Sequence, residues 1–337
     1  MSGPPGLDLV RLRAYLGNGP DLQATILAGG RSNLTYAVTD GTDRWVLRRP
    51  PLGHVLPTAH DMAREHKVLD ALSGAGFPVP KPMLLCTDPD VIGAPFYLME
   101  YVDGTIYRDV AKLEALGPAS MHALVLGLVD TLADLHALNP AEIGLADFGR
   151  PEGFNERQVR RWKKQLDASR SREVPGIEEL HARLAEDIPA GAEGTVVHGD
   201  YRLDNVLIGS SLQVNAVLDW EMSTLGDPLN DLALMLVYAG RPLLIKDSGP
   251  GASIDVQGLP GLDEMAEHYA KRSGRDVSDL QWYVGLAAFK LAVILEGVHY
   301  RYVQGQTVGA GFDTVGAMVV PLVAMGHKSL DGALEGH

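Results

Sequence analysis

The chain has 337 residues, 46% hydrophobic and 21% charged, enough to bury the core of one large domain or two lobes. Its 43 acidic and 29 basic side chains leave a net charge of −14, which argues against nucleic acid or an anionic membrane as the main partner. The single cysteine, Cys86, excludes an intrachain disulfide and a cysteine-built zinc cage, and it fits a reducing, cytoplasmic setting.

In chain order, the opening MSGPPGLDLV lacks the basic and apolar runs of a signal peptide. Residues 7–17 predict a short helix. β-rich runs follow at Gln23–Leu27, Thr35–Thr39 and Trp45–Arg48. A Gly29-Gly30 turn and an Asp40-Gly41 turn separate them. Residues 59–73 predict a helix, and Met83–Cys86 and Phe96–Glu100 predict strands. After Asp103-Gly104 helical spacing dominates, at 119–138, 155–170, 176–187, 229–239, 261–273, 279–304 and 311–334. Short strands interrupt it at 196–197, 206–208 and 213–218. The apolar stretch Val284–Val298 carries Lys290 and Glu296 and predicts a core helix too short to span a bilayer. The Gly/Pro-rich segment Asp247–Gly261 predicts a surface loop. This is an α+β, two-lobed plan: 1–101 β-rich, 102–337 mainly helical, with a ligand expected in the cleft between them.

The densest chemistry lies in Val196–Gly209. Two apolar runs bracket His198, Asp200, Asp204 and Asn205, and polar groups beside a core need partners. A hairpin turn would satisfy Asp200, Asp204 and Asn205 one at a time. Four such positions together, with Asp219 ending the next apolar run, point instead to chemistry. Asp200 followed by four residues and Asn205 has the spacing of a kinase catalytic loop. A carboxylate at Asp200 would take a hydroxyl proton. Asn205 and Asp219 are hard oxygen ligands suited to Mg²⁺.

His198-Gly199-Asp200 through Asn205, then Asp219, together with Gly226-Asp227-Pro228-Leu229-Asn230-Asp231, resembles the aminoglycoside phosphotransferase and choline kinase family. The resemblance runs from about Leu27 to about Thr307. It implies a protein-kinase-like fold and phosphotransfer from ATP with Mg²⁺. It further implies a phosphate loop at Gly29, Gly30, Ser32 and Asn33. Arg48 stands where the family usually has a lysine, and Glu65 is its candidate ion-pair partner. The backbone of Glu100 and Val102 would meet the adenine edge. His198, Asp227 and Asp231 would brace the catalytic loop, and Asp204 would cap a turn.

For the acceptor, Gly29–Tyr36, Arg48-Arg49-Pro50-Pro51, Asp219-Trp220-Glu221 and Phe289 to Gln306 resemble the kinase-like domain associated with acyl-CoA dehydrogenases. That implies a small-molecule hydroxyl acceptor, with a 4-hydroxyacyl-CoA as the specific expectation. Arg157, Arg160, Arg161, Lys163 and Lys164 on one helix, with Arg301, would meet the phosphates of CoA. Trp162 and Trp220 would stack on a base or acyl chain. The alternatives are an aminoglycoside kinase and a nucleotide-binding pseudokinase, the latter supported by Arg48.

Overall fold

Period-2 alternation builds the first third of the chain. In β3 (Arg44–Arg49), Val46 and Arg48 point to one face of the sheet, and Leu47 and Arg49 point to the other. In the computed structural model, residues 3–27, 33–53, 60–108, 110–240, 257–307 and 311–333 are described. The expected sites Gly29, Gly30 and Ser32, and most of the Asp247–Gly261 segment, lie outside them.

Among the described residues, β1 (Gln23–Ile26), β2 (Leu34–Thr39), β3, β4 (Pro82–Cys86) and β5 (Phe96–Glu100) form an antiparallel sheet in the order β1-β2-β3-β5-β4. One face packs Tyr36, Val38, Leu47, Phe96 and Leu98 against α1 (Leu9–Tyr15) through Leu12. The other face turns Val46, Tyr97 and Met99 toward α2 (Met62–Gly74), whose buried stripe is Met62, Glu65, Val68, Leu69 and Leu72. Asp61 caps α2 by accepting from Arg64 N at 3.0 Å.

The helical remainder begins with α3 (Val110–Glu114), a single short turn of helix that the sequence reading missed, and α4 (Pro118–Ala137). Next come α5 (Phe154–Ser169) and α6 (Ile177–Glu186). After the catalytic segment follow α7 (Leu229–Ala239), α8 (Leu262–Ser273), α9 (Leu280–Val303) and α10 (Val319–Leu330). The stretch 311–334 is not one helix: a 3-10 turn at Val315–Met318 precedes α10. The 24 residues of α9 exceed the expected core segment and would suffice in length and apolarity to cross a bilayer, but most are buried against α5, α6, α7 and α10.

The strands around residues 198–205 exclude the simple hairpin. β6 (Thr195–Val197) does not pair with β7 (Val206–Ile208). It pairs with β9 (Thr224–Gly226), which sequence reasoning missed, while β7 pairs with β8 (Val214–Val217). Residues 198–205 therefore cross between two small ribbons. Thr105 and Ile208 exchange both backbone hydrogen bonds, and Val217 N donates to Pro78 O, so the β7–β8 ribbon is tied to the sheet side of the molecule.

Candidate active site

The segment 198–205 is held from below. The Asp231 carboxylate accepts from His198 N at 2.5 Å and from Gly199 N at 2.8 Å. Burial raises the carboxyl pKa of Asp231, but the bond from His136, the nearby imidazoles and the Gly199 N–H outweigh it and hold it below the usual range. The His198 ring bridges from Leu218 O, 2.8 Å from Nε2, to Asp200 N, 3.2 Å from Nδ1. Gly199 sits at φ +83°, and a Cβ there would lie 2.8 Å from Met222 O. Only glycine meets both demands.

These anchors aim Asp200 into the cleft. Tyr238 OH donates to its Oδ1 at 3.1 Å, and Asn205 Nδ2 donates to its Oδ2 at 3.0 Å. Both carboxylate oxygens are oriented, with lone pairs left for a further proton. Asn205 O accepts from Leu218 N at 2.8 Å just beyond the Val206–Val217 pair, so Asn205 and Asp219 leave the same end of the β7–β8 ribbon. Asp219 adopts the left-handed conformation, φ +67° and ψ +62°. That costs an L-residue energy and is typical of held functional positions.

Arg48 closes the site from the sheet. Its face of β3 carries it beneath Glu65, which is only 3% exposed, at 3.0 Å, and on to Asp219 at 2.5 Å and Glu221 at 3.6 Å. The expected Glu65 ion pair is thus present, and Glu65 is not a solvated helix charge. Burial pushes Glu65 up to about 7, with Asp219 and Glu221 adding to the rise and Arg48 opposing it. Arg49, on the opposite face, donates to Gly6 O and Ile92 O.

Arg48, Glu65, Glu100, Val102, Asp200, Asn205 and Asp219 line one cavity of about 720 Å³. Val46, Leu69 and Met99 form part of its apolar wall. Glu100 N–H is already paired with Lys81 O at 2.9 Å.

Several expectations need correction. Asn33 does not line the cavity. Being 2% exposed, it must find internal partners, and it donates to Glu221 at 3.1 Å and pairs with His60 at 2.8 Å. Asp204 caps no turn: it is buried, its Oδ2 pairs with Arg202, and its Oδ1 has no partner among the described residues. Trp220 is core, its Nε1 donating to Val217 O and its ring packing on His198 and Phe77. Trp162 is buried too, though it borders a second cavity. The basic cluster of α5 divides. Arg157 donates to Arg150 O and Glu152 O and Lys163 pairs with Asp167, while Arg160, Arg161 and Lys164 are exposed. Asp227, expected to brace the catalytic loop, instead accepts from Leu229 N at the start of α7 and from Ala192 N, Asn155 and Tyr283.

Sequence reasoning missed Glu221, Arg108 and Arg202, which line the large cavity, and Tyr238 and Lys290, which meet the loop. Arg202 had a signal, since it lies between Asp200 and Asn205. Lys290 had one too, as a charge within the apolar stretch Val284–Val298, whereas Tyr238 had none, because long-range packing alone brings it to the loop.

The phosphotransferase enzyme family model matches residues 23–268. Acyl-CoA dehydrogenase family member 11 of Gallus gallus is 39% identical over 306 residues, covering 89% of this chain and 39% of that protein. The Homo sapiens protein of the same name is 37% identical over 332 residues, covering 95% and 42%. The chain spans about two fifths of the length of these relatives. A solved chain from Ralstonia eutropha carrying an aminoglycoside phosphotransferase name is 31% identical, with TM-score 0.83 over 97% of this chain and 99% of that one. The aminoglycoside phosphotransferase APH(4)-Ia bound to AMP-PNP and hygromycin B shares the fold at TM-score 0.62 and 16% identity, covering 96% of this chain and 99% of that one. With the protein-kinase-like fold, the Asp200 loop and these matches together, the chain belongs to the phosphotransferase enzyme family.

Proposed function

We propose that the chain transfers the γ-phosphoryl group of ATP to a hydroxyl of a hydroxyacyl-CoA, with Mg²⁺. The observation that carries the reading is the convergence of Arg48, Asp200, Asn205 and Asp219 on one cavity. The donor set fits Mg²⁺: one carboxylate and one amide oxygen at one ribbon end, hard ligands that leave room for water and phosphate. Bound there by Asn205 and Asp219, the ion would neutralise charge on the phosphates.

The chain's own groups do the rest. Asp200, fixed by Tyr238 and Asn205, orients the acceptor hydroxyl and takes its proton as the new P–O bond forms and ADP leaves. Arg48 turns its fork from Asp219 toward the phosphates while Glu65 keeps it in place. Gly29, Gly30 and Ser32, which precede β2 in sequence, would supply phosphate donors. Adenine would meet the carbonyl of Glu100 and the backbone of Val102 at the cavity wall.

The acyl-CoA part rests on the named relatives and on the exposed Arg160, Arg161 and Lys164, suited to phosphates. Against the pseudokinase alternative, Arg48 makes the Glu65 pair in lysine's stead. The test is acceptor-dependent ADP formation over hydroxyacyl-CoAs, aminoglycosides and simple alcohols, with and without Mg²⁺. Turnover confined to hydroxyacyl-CoAs is expected; turnover confined to aminoglycosides would overturn the acceptor assignment.

A further inference from the structure

On the α9 side of the catalytic loop lies a second cavity of about 60 Å³, walled by Phe154, Trp162, Leu234 and Leu286 and reached by Lys290 and Arg161. It holds a small group, not a sugar ring. Lys290 Nζ donates to Gly199 O at 2.8 Å, next to Asp200, and lies 5.6 Å from the Trp162 ring centroid. A lysine ammonium has three donors. Among the described residues, Gly199 O is its one hydrogen-bond acceptor.

Three of the other polar groups around this cavity already have partners. Asp231 holds His198 N and Gly199 N, Gln158 Oε1 accepts from Trp162, and Asn230 Nδ2 serves Asn155 and Asp227. Lys290 thus has donors to spare at the mouth of a recess that mixes apolar walls with Gln158, Thr224 and Asn230, one residue from Asp200. Such a donor needs an oxygen acceptor.

We propose that Lys290 is an acceptor-binding residue, seating a carbonyl or carboxylate oxygen of the molecule whose hydroxyl meets Asp200. This rests on the phosphotransfer reading and narrows it to hydroxy acids and their thioesters. Lys290 and Arg161 together repel a polycationic acceptor. Burial pulls the Lys290 ammonium below the usual lysine range; Asp200 and Asp231 oppose that, and Arg161 adds to it. An oxygen ligand would offset the cost.

The test compares wild type, Lys290→Met and Ala287→Leu, which narrows the cavity from one helical turn before Lys290 on α9 and keeps the lysine itself. The acceptors are a 4-hydroxyacyl-CoA, the free 4-hydroxy acid and the carbonyl-free alcohol of equal chain length. Thioester and carboxylate sources separate by which of the first two wild type prefers. Lys290→Met is expected to raise KM for the preferred acceptor by about tenfold more than for the alcohol, the size of one lost charged hydrogen bond. Ala287→Leu should weaken the same acceptor. An equal fall of kcat for all three would mean that Lys290 only braces Gly199, and would overturn the proposal. If nothing turns over in wild type, the phosphotransfer reading fails, and calorimetric titration of the same compounds decides for Lys290. Selective weakening in Lys290→Met supports it; equal binding, or none to wild type, overturns it.

Discussion

Arg48 Nη2 lies 2.5 Å from Asp219 Oδ1, so the arginine of the sheet and the acid of the β7–β8 ribbon are each other's partners. On the proposed mechanism, Asp219 must leave Arg48 to take Mg²⁺ and Arg48 must leave Asp219 to take phosphate. Mg²⁺ alone should bind weakly and Mg²⁺ with nucleotide tightly, each raising the other's affinity by the same factor. Calorimetric titration of Mg²⁺ with and without ADP checks this; equal affinities would contradict it.

Arg48 also neutralises a carboxylate only 3% exposed. Arg48→Met should cost about 3–5 kcal/mol, because Glu65 is left buried and unpaired. Arg48→Met with Glu65→Leu should recover most of that. Thermal melting of the single and double variants reads the difference.

Gly199→Ala forces a Cβ to within 2.8 Å of Met222 O at a positive φ. We expect a stability loss of about 1–3 kcal/mol and a fall in turnover greater than the fall in nucleotide affinity, since the strain falls beside Asp200. Melting curves with steady-state kinetics check both.

Acid should loosen the brace under the catalytic loop. Burial holds His136 below the usual histidine range, against the pull of Asp231 and Asp227, with Arg275 adding to the effect and Tyr269 bonded to Nδ1. The unfolded chain then binds more protons below about pH 6.5, so this share of stability is lost as pH falls through that value. Asp231, its folded pKa depressed, adds a loss only below its ordinary carboxylate range. Glu65, raised to about 7, works the other way in this window, because the folded chain takes up its proton first. From pH 7.5 to 5 the wild type should therefore lose more melting temperature than His136→Gln, or gain less. Equal slopes would remove His136 from the account.

Local signals in the sequence carried much of this site. Alternation in Trp45–Arg49 gave the strand, and the spacing from Asp200 to Asn205 and on to Asp219 gave the loop chemistry. Glu65 was legible as a helix position but not as buried, since burial depends on Arg48 arriving from another element. The partners of β6 and β7 were not legible: three-residue strands carry no register, and the ribbons form only when Thr224–Gly226 returns. Asn33 read as a phosphate donor because turns favour asparagine; His60 and Glu221, distant in sequence, take its side chain. Tyr238 and Lys290 come from helix faces whose apolar surroundings hide a polar tip.

The central claim is that Asp200 takes the acceptor proton. Asp200→Asn keeps the size of the side chain and an oxygen for Tyr238 OH. The direct measurement is acceptor-dependent ADP formation by this variant, with nucleotide affinity measured in parallel. The account predicts nucleotide affinity within a few-fold of wild type and turnover lowered by about 10²–10⁴. Full turnover in Asp200→Asn would contradict it.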